Sequence, residues 1–291
     1  MKRGIVVASL SAERDKTVNH QVPAVQTENL TRRFGDLVAV DRLNLTVPRG
    51  VIFGFLGPNG AGKSTTINML ISLLPPTAGT AQVGGFDICQ EPLEVKRRIG
   101  VVPEGLSLYE RLTAVEQIEL VGRLHGLGRA EIERRIPSLL EALELQDSAD
   151  KMILDYSQGM RKKTAVACAL VHAPEILFLD EPFESVDPIS TRAIKEVLRE
   201  MVDHRGTTVF FSTHVMELAE RFCDLVGIIN KGQLAGVGSI AELRRQAGLP
   251  DDAPLEDVFL RTVGVEVEDE GLLDWLTGRE TAGRERGDHV G

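Results

Sequence analysis

Residues 57–65 read GPNGAGKST and follow the continuous apolar run VIFGFLG at 51–57. This segment contains the phosphate-loop pattern G-x-x-x-x-G-K-[ST] in full. The apolar run before them is typical of a strand buried on both faces. The segment after them predicts a helix that runs to about Leu74 and stops at Pro75-Pro76. This strand–loop–helix order predicts a nucleotide site within an α/β core, because glycines let backbone N–H groups curl around phosphate oxygens.

The loop provides the groups that a nucleoside triphosphate and its metal ion require. Lys63 places a positive charge at the β- and γ-phosphates, and the hydroxyl of Ser64 is suited to Mg²⁺. A glycine-rich turn that matches by chance is the alternative, and the strand and helix on either side count against it. The expected ATP contacts of the loop are Gly57, Pro58, Asn59, Gly60, Ala61, Gly62, Lys63, Ser64 and Thr65.

Two further apolar runs end in residues that suit phosphate chemistry. ILFLDEP (176–182) predicts a strand that ends in Asp180 and Glu181, and TTVFFSTH (207–214) predicts one that ends in His214. Asp180 is expected to bind Mg²⁺, and Glu181 to align a water with the γ-phosphate as the catalytic base. His214 is expected to contact the γ-phosphate, because sites of open α/β sheets lie at the strands' carboxyl ends. An acidic strand end facing water and a surface histidine are the alternatives.

Strand and helix patterns alternate along the chain and predict an α/β fold. Alternation at 24–48 predicts antiparallel strands, short strands are expected near 80–88 and 98–102, and DLVGIINKGQLAGVGS predicts a hairpin. From 112 to 171 apolar residues recur at three- and four-residue spacing, which is typical of amphipathic helices. The predicted fold is a P-loop NTPase core with a mainly parallel sheet, an N-terminal antiparallel β subdomain and a helical subdomain inserted at about 104–171.

The ends of the chain are expected to lie outside this core. Residues 1–22 predict a flexible extension, 23–240 the ATPase domain, and 241–291 a C-terminal helical extension. GLLDWLTG is suited to a short helix docked through Trp275, and the polar segment 280–291 predicts disorder.

Composition narrows the classes of partner. The formal net charge is −10, which argues against a protein that grips a nucleic-acid backbone. No apolar run approaches the roughly 18 residues of a membrane-spanning helix. Cys89, Cys168 and Cys223 lie far apart, so neither a zinc site nor a disulfide framework is predicted. We expect three small buried side chains in a reducing cytoplasm.

The order of GPNGAGKST, VVPE, YSQGM, ILFLDEP, SVD and STH resembles that in the ATP-binding subunits of ABC transporters, over about residues 25–240. The resemblance implies an ATP-hydrolysing motor that binds Mg²⁺ and ATP between two subunits arranged head to tail. The second subunit would be another copy or a paralogue. VVPEG, YSQGM and LEDVFLRTV are similar to exporter-type subunits, whose partner is a separate integral membrane permease. The protein would then lie in the cytoplasm, peripheral on the inner face of the cell membrane.

The resemblance also assigns roles to residues outside the loop. Phe34 would stack on adenine, and Asp187 would link the two sites of the dimer. Glu104 stands where the family usually has glutamine, and its carboxylate is expected to bind Mg²⁺. YSQGM takes the place of the family's signature, which would contact the γ-phosphate held by the other subunit through Ser157, Gln158 and Gly159.

Three cations follow this signature in the first turn of a predicted helix. The helix dipole favours anions at that end, so the placement of Arg161, Lys162 and Lys163 is unexpected. We expect Arg161 to attract the bound phosphates, and Lys162 and Lys163 to be solvated side chains.

Two other classes of protein remain as alternatives. An ABC-type ATPase that acts in translation or on DNA would usually carry two nucleotide domains or long insertions, whereas this chain has one phosphate loop. A P-loop GTPase is suggested by the segment at 230–233, which begins like Asn-Lys-x-Asp. Its last residue is Gln233, however, and a hairpin turn is the simpler interpretation.

Overall fold

The computed structural model describes residues 22–264. The expectations of a flexible extension before residue 22, a helix docked through Trp275 and a disordered tail at 280–291 concern residues outside this range. Within residues 22–264, no helix has the length and apolar character needed to cross a membrane.

Strands and helices alternate through the described chain. The strands are β1 (Val25–Phe34), β2 (Leu37–Val47), β3 (Ile52–Leu56), β4 (Ala78–Val83), β5 (Phe86–Asp87), β6 (Ile99–Val102), β7 (Ile176–Asp180), β8 (Thr208–Thr213), β9 (Leu225–Asn230) and β10 (Gln233–Gly238). The helices are α1 (Lys63–Leu70), α2 (Pro92–Arg98), α3 (Ala114–Leu124), α4 (Arg129–Ala142), α5 (Gln158–Leu170), α6 (Pro188–Arg205), α7 (Met216–Phe222), α8 (Ile240–Gln246) and α9 (Leu255–Val263). Short 3₁₀ turns span Gln146–Ser148 and Ile153–Asp155.

Two sheets organise these elements and confirm the predicted fold class. The larger sheet has the strand order β10-β9-β3-β8-β7-β6, and all its neighbouring pairs are parallel except β9 with β10. The smaller sheet, β2-β1-β4-β5, is antiparallel. Helices α3, α4 and α5 lie between β6 and β7 in the chain, as the amphipathic pattern predicts.

The segment at 230–233 forms the turn between β9 and β10, and Asn230 pairs with Gln233. Lys231 and Gly232 have φ angles of 47° and 79°, as a tight hairpin requires. The side-chain amide of Gln233 donates a hydrogen bond to Asp41 at 2.8 Å. The hairpin interpretation of this segment is therefore confirmed.

Two local expectations are wrong. Helix α1 ends at Leu70 rather than near Leu74, because Ser72 takes a left-handed conformation (φ 58°) that a helix cannot continue. Cys89 is exposed instead of buried, because it lies in the turn after β5 and its N–H donates a hydrogen bond to Asp87. Cys168 is buried as expected, and burial raises the pKa of its thiol to about 12.

Four phenylalanines fill the space between the larger sheet and the elements on one of its faces. Phe53, Phe55, Phe178 and Phe210 are fully buried on the three central strands. The ring of Phe210 lies 5.1 to 5.4 Å from the other three ring centroids. Such tilted aromatic packing adds to the hydrophobic stabilisation of the sheet that carries the strand ends.

We expect Phe210→Ala to lower the free energy of unfolding by about 3–5 kcal/mol, since it removes the ring shared by all these contacts and leaves a cavity. Urea denaturation measures the change. Leu93→Ala, at an exposed position on α2, is the control and should stay within about 0.5 kcal/mol of the wild type. Equal losses in the two variants would contradict this account of the core.

Candidate nucleotide-binding site

Three strands of the larger sheet end side by side at one edge. Leu56 at the end of β3 pairs with Thr213 on β8, and Asp180 at the end of β7 pairs with Ser212. The phosphate loop, the acidic pair and His214 follow these ends directly. Parallel pairing therefore brings Lys63 and Glu181 together, although they are 118 residues apart in the sequence.

The loop has the close backbone packing that only glycine permits. An added Cβ at Gly57 would lie 2.3 Å from the carbonyl oxygen of Ile229. At Gly62, whose φ is 106°, it would lie 2.5 Å from that of Ala39. The predicted loop residues differ in exposure. Gly57, Ala61, Gly62 and Lys63 are buried, Ser64 and Thr65 are half-buried, and Pro58, Asn59 and Gly60 are exposed.

The first turn of α1 is suited to an anion. The first backbone N–H groups of a helix have no intrahelical acceptor, and Gly62, which precedes α1, has no side chain to cap them, so they can bind a ligand. The N-terminal end of the helix dipole adds positive potential at the same place. These features fit the triphosphate of a nucleotide, which accepts hydrogen bonds from N–H groups of this kind.

The carboxylate of Glu181 lies between the side chains of Lys63 and His214. Its Oε1 is 3.3 Å from Lys63 Nζ and 3.2 Å from His214 Nδ1, and the Glu181 side chain is only 8% exposed. Neither contact is aligned as a hydrogen bond, so this buried oxygen accepts none. Lys63 instead donates to the carbonyl oxygens of Gly57 and Pro58 at 2.8 and 3.3 Å. The buried oxygen thus retains its capacity to accept a hydrogen bond from water.

The main chain of Glu181 is fixed on both sides in an unusual conformation. Its φ of 45° is left-handed, a region that non-glycine residues rarely occupy. Its N–H donates to Ser212 Oγ at 2.9 Å, and its carbonyl oxygen accepts a hydrogen bond from Lys162 Nζ at 2.9 Å. The Ser212 hydroxyl in turn donates to Asp180 Oδ1 at 2.5 Å. The chain therefore turns at Glu181 and leaves the direction of β7, which ends at Asp180.

The oxygen donors here fit Mg²⁺, which prefers carboxylate and hydroxyl ligands together with substrate phosphate. Asp180 is buried at the end of β7, and Ser64 is half-buried in the first turn of α1. Glu104 is exposed in the loop after β6. Within residues 22–264, no group of three or more His, Cys, Asp or Glu side chains is placed to hold a metal ion. A metal ion here would depend on phosphate oxygens for much of its coordination.

The signature segment begins α5 and meets the beginning of α6. The Ser157 hydroxyl caps α5 by accepting the Met160 N–H, and Asp187 caps α6 by accepting the Ser190 N–H at 2.9 Å. That backbone hydrogen bond, with one from the Ser190 hydroxyl, holds the pKa of Asp187 below its usual value. An added Cβ at Gly159 would lie 2.5 Å from both Asp187 Oδ2 and Ser190 Oγ. Gly159 therefore allows the two helix ends to approach closely.

The expectations for the three cations after the signature are wrong. Arg161 contacts the Glu110 carboxylate at 2.9 Å and the Leu154 carbonyl oxygen at 3.0 Å, so it is bound within the chain rather than directed at phosphate. Lys162 and Lys163 are buried, at 3% and 4% exposure, and are not solvated. The residues they contact come from distant parts of the chain, which local helix patterns do not reveal.

The remaining predicted residues lie on the surface. Phe34 is 46% exposed, and the guanidinium of Arg32 lies 4.6 Å from its ring centroid. Ser157, Gln158 and Asp187 are also exposed. Within residues 22–264, none of these four side chains contacts the carboxylate of Glu181. Exposure suits residues that would meet a flat adenine ring or a second subunit.

Neither Ser212 nor Lys162 was assigned to the site from the sequence. Ser212 lies within the apolar strand run VFFST, where a serine amid large side chains is a weak signal of a buried hydrogen bond. Lys162 had the stronger signal, because it lies among three consecutive cations at the start of a helix whose remainder is mainly apolar.

The fold and this sheet edge define a nucleotide-binding ATPase of the P-loop class. The chain belongs to the ABC transporter family, whose family model, described as "ABC transporter", matches residues 40–184. ATP binding and hydrolysis are the shared activity of this family's ATP-binding domain, and the chain is an ATPase of this kind.

Similar proteins include ATP-binding proteins of several transporters. The chain is 40% identical to the daunorubicin/doxorubicin resistance ATP-binding protein DrrA of Streptomyces peucetius, over 77% of this chain and 68% of DrrA. It is 40% identical to the Nod factor export ATP-binding protein I of Cupriavidus metallidurans, over 75% and 72%. It is 39% identical to the ABC transporter ATP-binding protein NatA of Bacillus subtilis, over 73% and 88%.

Solved structures share the fold over most of the chain. The structure of an ATP-binding subunit of an ABC transporter has a TM-score of 0.77 at 32% identity, covering 82% of this chain and 99% of its own. A dimeric post-hydrolysis state of the ATP-binding cassette MJ0796, bound to ADP and Pi, has a TM-score of 0.69 at 26% identity. The match covers 74% of this chain and 98% of that one.

We expect Gly159→Ala to lower the free energy of unfolding by about 1–3 kcal/mol, because its methyl group would overpack the junction of α5 and α6. It should also lower ATPase activity, since the signature and Asp187 would be displaced. Urea denaturation and phosphate release measure the two effects. Gly128→Ala is the matched control, because an added Cβ there meets nothing within 4 Å. Wild-type stability in Gly159→Ala would contradict the close approach.

Proposed function

We propose that this chain is the motor subunit of an ABC exporter, which hydrolyses ATP between two head-to-tail subunits and drives a separate membrane permease. The observation that carries the proposal is the buried Glu181 carboxylate at the end of β7, which lies beside His214 and beside Lys63 of the phosphate loop. The export direction is supported by relatives whose names include drug resistance and Nod factor export.

In the proposed reaction, the N–H groups at the start of α1 bind the phosphates, and Lys63 exchanges its carbonyl contacts for phosphate oxygens. Glu181 accepts a hydrogen bond from a water and takes its proton as the water attacks the γ-phosphorus. The bond from that phosphorus to the β,γ-bridging oxygen breaks, and ADP and inorganic phosphate are the products. His214 holds the γ-phosphate in line with that water. Most of the rate enhancement comes from positioning and charge neutralisation, because phosphoryl transfer needs little covalent participation by the protein.

Ser64 and Asp180 would hold Mg²⁺, with Glu104 entering the set when the loop after β6 moves towards the phosphates. The ion would neutralise charge on the β- and γ-phosphate oxygens. Phe34 would stack on the adenine ring from its exposed position on β1. The remaining loop residues 57–65 would wrap the phosphates through their main chain.

The second half of each ATP site is proposed to come from another subunit, a second copy of this chain or a paralogue. Ser157, Gln158 and Gly159 would contact the γ-phosphate bound by the partner, and Asp187 would connect the two sites. The exposure of Ser157 and Gln158 at a helix N-terminus supports this arrangement. So does the dimeric state of the solved MJ0796 structures, which are similar to this chain.

The permease is proposed to contact the region from Glu104 to Thr113. A cleft of about 410 Å³ lies beside this region and is lined mainly by apolar groups, among them Ile71, Leu73, Leu108 and Val121. The cleft lies between β6, α3 and α5, so a permease helix bound in it would be displaced when α3 and α5 move relative to β6. This contact would place the protein on the inner face of the cell membrane.

Glu181→Gln tests the ATPase assignment. The amide cannot take a proton, so steady-state turnover should fall by about 10²-fold or more while ATP still binds. Dimers should accumulate in ATP and be seen by size-exclusion chromatography with light scattering. Glu256→Gln, at an exposed position on α9, is the control. Full turnover in Glu181→Gln would contradict the assignment of the catalytic base.

Recovery from membranes tests the transport assignment. The tagged chain, purified from detergent-solubilised membranes of its own organism, should bring down a polytopic membrane protein identified by mass spectrometry. Leu73→Glu, at an exposed position lining the cleft, should reduce that recovery about tenfold, whereas Val237→Glu on β10 should not. Equal recovery with both variants would argue against the cleft, and absence of any membrane protein would argue against a permease partner.

A further inference from the structure

Lys162 is a buried lysine that contacts the main chain of the proposed catalytic base. It lies on the second turn of α5 and is 3% exposed, which is rare for lysine. Its Nζ donates a hydrogen bond to the Glu181 carbonyl oxygen at 2.9 Å. We infer that Lys162 is a positioning residue, which holds the Glu181 turn so that the carboxylate stays beside Lys63 and His214. The inference rests on the proposed role of Glu181.

The Glu181 turn needs external support. Its left-handed φ of 45° costs energy in a residue with a Cβ, so neighbouring groups must hold it. Within the described residues, the Ser212 hydroxyl holds the N–H side at 2.9 Å, and the Glu184 N–H reaches the carbonyl oxygen at 3.3 Å. Lys162 makes the shorter contact with that oxygen and is the one cationic donor to it.

The charges around Lys162 favour this placement. Burial lowers the pKa of Lys162, and the carboxylates of Glu184, Asp180, Glu181 and Glu104 act in the opposite direction. A cation in this position attracts the acids that surround the strand end, and it offsets the charge that Glu104 adds. Lys162 therefore stabilises the acidic turn by charge as well as by its hydrogen bond.

The position of Lys162 on α5 connects two ATP sites. The same helix begins with the signature, which faces the partner subunit's nucleotide in the proposed dimer. One turn separates Gln158 from Lys162, so a shift of the helix start moves the donor that holds Glu181. Binding of ATP at the partner's site would thus adjust the catalytic base of this chain's own site.

The test compares two buried lysines of the same helix. Lys162→Met removes the donor and keeps a similar volume, and Lys163→Met is the matched control. Lys163 is 4% exposed, but its Nζ contacts Glu144 at 3.2 Å instead of the Glu181 turn. Lys162→Met should lower kcat by about 10- to 100-fold, the cost of a small misplacement of a catalytic group, with the ATP dissociation constant within about threefold. Lys163→Met should keep kcat within about threefold.

A second measurement separates positioning from general damage to the fold. The second measurement is the rate of single-turnover hydrolysis of radiolabelled ATP in the Glu181→Gln background. Lys162→Met should not change this rate, because Lys162 acts through the Glu181 carboxylate, which is already absent. If Lys162→Met does not fold, Lys162→Gln, which keeps an N–H donor, replaces it. Its kcat should fall below that of the wild type, but by less than the 10- to 100-fold expected for Lys162→Met.

The outcomes are distinct for the two proposals. A kcat within threefold of wild type in Lys162→Met, or an equal fold-loss in the Glu181→Gln background, would overturn the positioning role. A kcat loss in Lys162→Met that equals the loss in Lys163→Met would do so too. Full turnover in the Glu181→Gln single variant would instead overturn the proposed function of the site, whatever the Lys162 variants show.

Discussion

The structure depends on one buried carboxylate and the groups that hold it. Glu181 follows β7, its main chain is fixed by Ser212 and Lys162, and its side chain lies beside Lys63 and His214. These contacts join α1, β7, β8 and α5 at a single point. A charge with so little exposure is stable only among cations and hydrogen-bond donors, so the surrounding elements must keep their register.

The parallel sheet is what makes this convergence possible. Parallel strands require long crossover connections, and the crossover between β6 and β7 contains α3, α4 and α5. The insertion therefore delivers the signature helix to the same edge as the phosphate loop. The sheet aligns the strand ends in register, and the fully buried phenylalanines of β3, β7 and β8 keep the three strands together.

Much of the fold and the contents of the site could be predicted from the sequence. The loop pattern, the apolar strand runs and the helical spacing at 112–171 depend on neighbouring residues, and each has a direct physical meaning. The environments of Arg161, Lys162 and Lys163 could not be predicted, because their partners at Glu110, Glu181 and Glu144 lie 51, 19 and 19 residues away. The conformation of Glu181 could not be predicted either, since the apolar pattern of a strand does not indicate a left-handed residue at its end.

The absence of a side chain at Gly159 has a mechanical consequence. The side chains of Asp187 and Ser190 pack against the backbone of Gly159, so the starts of α5 and α6 meet with no side chain from α5 between them at this point. Such close packing leaves the two helix starts little room to move relative to each other. A displacement of the signature would therefore move the Asp187 turn with it.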